Sequence, residues 1–173
     1  LAEVYTKTID VEKIKTAIAK MVKNIENSFE ENLNTLSWID PLTKEFALQK
    51  LKLMQEKIGA PIKWKNYNSL NLESDLYLNN IYQINKFETQ NDLKKIGKSV
   101  DTEEWSMMPW EVNAYYDPSV NQFVLPFGIL QPPSVDLNFS EGANLGSFGG
   151  GTIGHELTHG FDTDGSQFDA HGN

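Results

Sequence analysis

From Asp10 onward the chain carries one uninterrupted apolar stripe, and no other feature limits its possible folds so strongly. Val11, Ile14, Ile18, Met21, Val22, Ile25, Phe29, Leu33 and Leu36 recur at spacings of three and four. Residues so spaced share one face of an α-helix, so a helix of about seven turns must bury that face against a partner. Asp10 stands where an N-cap belongs. Asp40-Pro41 restarts the pattern as N-cap and first helical residue, and this second helix is expected to run to Ile58, stopping at Gly59 with Pro61 beyond. A third helix is expected over Leu72 to Ile96, with Leu76, Ile81, Ile84 and Phe87 as core positions; Asn79-Asn80 and Thr89 are poor helix formers within it.

The pattern changes near Trp105. Val112 to Tyr116 and Gln122 to Leu125 are rich in aromatic and β-branched residues and flank the turn-forming Asp117-Pro118-Ser119-Val120-Asn121, which predicts a hairpin. Gln131-Pro132-Pro133 closes that unit, since proline has no N–H to give a ladder. Ser134 to Gly151 is polar and glycine-rich and shows no apolar stripe of its own. The expected fold class is therefore mainly α with a small β-hairpin or edge strand.

Composition is that of a globular chain, 39% hydrophobic and 23% charged over 173 residues. That length suffices for one domain or pieces of two. A net charge of −9 works against binding nucleic acid or an anionic membrane. No apolar run approaches the ~20 residues of a membrane span. The absence of cysteine excludes disulfides and cysteine-ligated zinc. Leu1-Ala2-Glu3-Val4-Tyr5 has neither Met nor a signal pattern and reads as the start of an excised piece. Asn138-Phe139-Ser140 is a formal glycosylation sequon, which chance explains.

The chemistry is concentrated in His155-Glu156-Leu157-Thr158-His159. Histidines at i and i+4 lie on one helical face and converge on a single ion, which points to zinc. In this arrangement Glu156 is not a ligand. It sits beside a water that zinc acidifies and takes that water's proton as it attacks a peptide carbonyl. The competing reading is two surface histidines on an ordinary helix. Against it stand the apolar side formed by Ile153, Leu157 and Phe161, and the chain's total of only 3 histidines. Gly154 and Gly160 each weaken the helix by up to about 1 kcal/mol, so it needs tertiary support.

A catalytic zinc normally has three protein ligands. The metzincin pattern requires Gly three and His six residues after His159, where this chain has Asp162 and Gly165. His171 is isolated, and Asp162 suits an acceptor for a histidine N–H better than a ligand. Asp162-Thr163-Asp164-Gly165 echoes a calcium loop, but that register puts Gly160 and His171 at two essential ligand positions. A tight turn closing the zinc helix is the simpler account.

Three linked segments carry a resemblance: Val112 to Tyr116, Leu125-Pro126-Phe127-Gly128-Ile129-Leu130-Gln131-Pro132-Pro133, and Ile153 to Asp162. With Leu36-Ser37-Trp38-Ile39-Asp40 and Lys57-Ile58-Gly59-Ala60-Pro61 upstream, the chain resembles the neprilysin family of zinc endopeptidases over essentially its whole length. The resemblance implies a two-lobed gluzincin architecture whose second lobe restricts access to short peptides. On that basis residues 1–105 would be helical parts of the access-restricting lobe and its connecting helices. Residues 106–173 would begin the catalytic lobe, with edge strand and zinc helix.

It further implies His155 and His159 as zinc ligands and Glu156 as catalytic base. Asn113 and Ala114 would hold substrate backbone in β-fashion, and Ile129 would line the pocket for an apolar residue on the leaving side. The third zinc ligand would be a glutamate beyond Asn173, in a part of the catalytic lobe with which this segment associates. Oligopeptides would be the substrates, and a secreted, periplasmic or cell-surface location would follow by analogy. Ser147-Phe148-Gly149-Gly150 departs from the Gly-Gly-Ile-Gly common in the family, and Ser134 and Thr152 replace apolar pocket residues, which leaves the pocket's preference open. A non-catalytic helical interaction module, or an inactive relative that binds peptide without cleaving it, are the alternatives.

Overall fold

A computed structural model describes residues 1–173. It is mainly helical with one small sheet, as the sequence predicts. A short α1 (Ala2–Thr6) precedes α2 (Val11–Thr35), whose first turn is capped by the Asp10 carboxylate accepting from the Lys13 N–H. Ile18, Met21, Val22 and Leu33 of the stripe are buried, with Ile25 and Phe29 packed at the core margin. The second helix, α3 (Pro41–Leu53), is capped by Asp40, which accepts from the Leu42 and Thr43 N–H groups at 3.0 Å. Lys44 Nζ donates to the carbonyls of Asn34 and Leu36 at 2.9 and 2.8 Å. It thereby satisfies acceptors that the end of α2 leaves open.

The helix predicted to reach Ile58 ends five residues earlier. Gln55–Gly59 is instead strand β1. It runs parallel to β3 (Gln122–Pro126), from Gln55 opposite Gln122 to Gly59 opposite Pro126. Gln-Glu-Lys-Ile has fair helix propensity, but pairing with a strand 60-odd residues away outweighs it. All of β3 is buried, which explains its unalternating Phe-Val-Leu run. The predicted hairpin is present in shifted form. Strand β2 is Tyr115–Asp117, antiparallel to β3, so Val112, Asn113 and Ala114 precede the ladder while Asp117 belongs to it. β3 likewise extends to Pro126. The strand order is β1-β3-β2. Asn121 turns the hairpin at φ 50°, a conformation that asparagine tolerates better than most residues.

The largest departure lies in the glycine-rich stretch. Residues 141–159 form one continuous helical run: α5 (Glu141–Asn144), a π-helical segment (Leu145–Gly154) and α6 (His155–His159). Ser140 caps it, accepting from the Ala143 N–H at 3.2 Å. Phe148 and Ile153 are buried, and the π segment packs against α2. Each glycine lowers helix propensity, and this packing supplies the tertiary support that the helix carrying His155 and His159 requires. π-helical turns are rare and recur at functional sites.

The chain divides into two compact units, one of residues 1–60 with 105–173 and one of residues 61–104. In the second, α4 (Tyr77–Leu93) is shorter than the predicted 72–96. None of its residues is buried, so its apolar positions do not form the core expected of them. Asn80 instead brackets Glu73, accepting from its N–H at 3.0 Å and donating to its carbonyl at 2.6 Å. The Tyr67 and Phe87 rings meet at 5.6 Å, and Lys65 pairs with Glu88.

Gly59 ends β1 at φ 96°, with the Phe127 ring where a Cβ would lie. Gly59→Ala is therefore expected to destabilise the protein by roughly 2–4 kcal/mol, combining backbone strain with overpacking. Gly142→Ala, in α5 with nothing within 4 Å of the added methyl, should be neutral or stabilise by up to about 1 kcal/mol. Urea denaturation of both variants checks the contrast, and equal effects would count against the β1 placement.

Candidate metal centre

The helical run from Glu141 presents its last turn as the metal motif. His155 and His159 lie one turn apart, their rings edge to face with centroids 4.5 Å apart. Their Nε2 atoms approach to 3.1 Å. On its other side, His159 Nδ1 meets Asp162 Oδ2 at 2.7 Å. A carboxylate there accepts the Nδ1 proton and leaves the Nε2 lone pair free for a metal, the orienting role expected of Asp162. Asp162 is itself fixed, because its Oδ1 accepts from the N–H groups of Gly165 at 2.8 Å and Asp164 at 2.9 Å. The Gly165 bond, the His159 bond and the Asp164 bond together hold its carboxyl down at about 2. Asp162 to Gly165 is thus a self-capped turn rather than a calcium loop.

Glu156 is only 6% exposed, although it neighbours the exposed His155. Burial pushes its carboxyl above the usual range, against the pull of the two histidines. No buried side-chain oxygen or nitrogen lacks a partner. The Glu156 carboxylate makes no hydrogen bond, so its oxygens keep an opening to the surface. A partly desolvated carboxylate beside two imidazoles is well suited to take a proton from water.

The two imidazoles fit zinc. Two zinc–nitrogen bonds of ~2.05 Å at a tetrahedral angle hold their nitrogens about 3.3 Å apart, close to the 3.1 Å found here. No third His, Cys, Asp or Glu joins them. His171 is exposed and its N–H donates to Asp169 at 2.8 Å, in a separate turn.

The other predicted site residues sit along the approach to the sheet. Asn113 is exposed and Ala114 is 8% exposed; both lead into β2, the edge strand that packs beside α6. Ile129 is half-buried against the core in the turn after β3, where its N–H donates to Pro126 at 3.2 Å. Thr152, in the π segment, and Ser134 are half-buried. Two buried polar residues near the centre belong to no motif, Lys50 and Asn121. Lys50 had one available signal: it occupies the α3 face shared by Ala47, Leu51 and Met54, where an apolar residue is the default.

Comparison with known proteins agrees with this architecture. Two sequence profiles of peptidase family M13 match the chain, one over residues 1–61 and the other over residues 113–173. Neprilysin-3 of Drosophila melanogaster is 37% identical over 92% of the chain, and human neprilysin 39% identical over 91%. The chain spans only 21% and 22% of the lengths of those two relatives. Among solved structures, the inhibitor complex of the Mycobacterium tuberculosis zinc metalloprotease Zmp1 superimposes with a TM-score of 0.93 at 37% identity. PepO from Lactobacillus rhamnosis superimposes at 0.92 and 36%. Each superposition covers 99% of this chain, and 26% and 28% of the respective structures. With both profiles matched in order and the whole chain superimposing on such enzymes, the chain belongs to peptidase family M13, the neprilysin family.

Proposed function

We propose that this chain supplies the zinc-binding helix, the catalytic base and part of the substrate cleft of a neprilysin-like metalloendopeptidase acting on oligopeptides. The observation that carries the reading is the pair of Nε2 atoms 3.1 Å apart on the helix that also bears the buried Glu156. His155 and His159 would hold the ion, with a third ligand from a segment outside residues 1–173. When bound, zinc polarises the scissile carbonyl and acidifies water.

Glu156 accepts a proton from the attacking water and returns it to the departing amine. Its raised affinity for protons suits both steps. Asn113 and Ala114 hold the peptide backbone alongside β2, and Ile129 contacts an apolar residue on the leaving side of the scissile bond. Residues 1–105 contribute helices of the access-restricting lobe, and residues 106–173 open the catalytic lobe, which is completed by association with the rest of the protein. A secreted, periplasmic or cell-surface setting accords with relatives named as membrane metallo-endopeptidase-like. No helix here is long and apolar enough to cross a membrane.

In the intact protein, Glu156→Gln should lower kcat by roughly 10³–10⁴-fold while zinc content stays at one ion per molecule. Turnover of a fluorogenic peptide with parallel metal analysis tests this; unchanged turnover would remove Glu156 from the chemistry. Asn113→Ala should lower kcat/KM by about 10-fold or more with zinc binding intact, losing one hydrogen bond made to the peptide. Residues 1–173 alone should retain zinc weakly and show little hydrolysis, since two histidines leave the ion under-coordinated. Full activity from that segment would show that the third ligand has been wrongly assigned.

A further inference from the structure

Lys50 is only 5% exposed, and its ammonium faces no carboxylate within ion-pair distance. It donates instead to two backbone carbonyls, Gly165 at 2.6 Å and Phe168 at 2.7 Å. These lie more than a hundred residues away, in the segment immediately after the zinc helix. Burial lowers its affinity for a proton, and the more distant Asp169 and Asp162 charges work in the opposite direction. Desolvating an ammonium is unfavourable, and a methionine of similar length would fill the same space without that penalty. The ammonium's distinctive contribution is to fix the direction of two carbonyls.

Those carbonyls are linked to the metal centre by short steps. The N–H of Gly165 donates to Asp162 Oδ1 at 2.8 Å, and Asp162 Oδ2 meets His159 Nδ1 at 2.7 Å. Gly165 also has no slack toward the helix. A Cβ on it would run into the His159 carbonyl and lie 2.8 Å from the Gly160 carbonyl carbon. The same anchor extends toward the sheet. Asn121 donates from Nδ2 to the Lys50 carbonyl at 3.0 Å and to the Ala170 carbonyl at 3.2 Å, while its Oδ1 accepts from the Tyr116 hydroxyl at 2.9 Å. The segment after the zinc helix is therefore held by α3 from beneath and by the hairpin from the side.

We infer that Lys50 is a positioning residue for the metal site: by clamping the Gly165 and Phe168 carbonyls it sets the Asp162 carboxylate that orients His159. This rests on the zinc-site reading above. It assigns to a helix residue remote in sequence a role in ligand geometry that its own packing does not require. Partners that orient a metal-bound histidine typically account for 10–100-fold in metal affinity.

The test uses the intact protein and zinc itself, with dissociation constants from competition against a chromogenic chelator and melting temperatures of the metal-free forms. Lys50→Met, which nearly keeps the volume, is one atom shorter and has no donor, should weaken zinc binding about 10-fold or more. Lys50→Gln, with a shorter neutral donor, should fall between it and the unsubstituted protein. In an Asp162→Asn background, Lys50→Met should change the zinc constant by less than about 3-fold, because the carboxylate it acts through is already gone. Should Lys50→Met fail to fold, the Lys50→Gln pair with and without Asp162→Asn makes the same comparison. A folded Lys50 variant with a lowered melting temperature but unchanged zinc affinity would overturn the inference and leave Lys50 a structural residue. Failure of the unsubstituted protein to bind zinc would overturn the zinc-site reading, and this inference with it.

Discussion

The metal motif depends on the packing of a glycine-rich helical run against α2. Residues 145–154 include five glycines, which alone would leave this stretch without a stable helix. Burial of Phe148 and Ile153 holds it in place. Contact with α2 flanks the motif on both sides. Ile25 lies 3.7 Å from where a Gly149 side chain would begin, and the Phe29 ring meets Phe161 at 4.9 Å between centroids. The two histidines are thus presented by a helix braced before and after them. The stripe that most constrains the fold is also what fixes the candidate metal site.

Polar contacts then refine what packing provides. A helix fixes the spacing of His155 and His159 but leaves ring rotation free. Asp162 removes that freedom for His159, and its own orientation is set by the turn through Gly165. Tyr116, whose hydroxyl is pushed up to about 12 by burial and the nearby Asp117 and Asp162 charges, stays protonated and donates to Asn121. The hairpin edge and the segment after the zinc helix therefore share one hydrogen-bonded frame.

Much of this was legible in the sequence because it is local. Asp10 and Asp40 cap the helices they precede, and both stand directly before an apolar-periodic run. His155, Glu156 and His159 mark a candidate zinc site through a five-residue spacing. The illegible parts are those that distant residues decide. Nothing in Gln55–Gly59 signals a parallel partner at Gln122–Pro126, so the helix of α3 was expected to continue. The helicity of Leu145–Gly154 contradicts its propensity and follows from α2. Lys50 resembles any other lysine on a helix until the fold brings Gly165 and Phe168 to it. Conversely, α4 has the periodicity of a core helix and buries none of its residues.

The central claim is that His155 and His159 are ligands of one zinc ion. Zinc-edge anomalous diffraction from crystals of the intact protein tests it most directly. The account predicts a single peak ~2.0–2.1 Å from Nε2 of both histidines, with Asp162 still on Nδ1 of His159. A peak coordinated by other residues, with these two imidazoles unliganded, would contradict it.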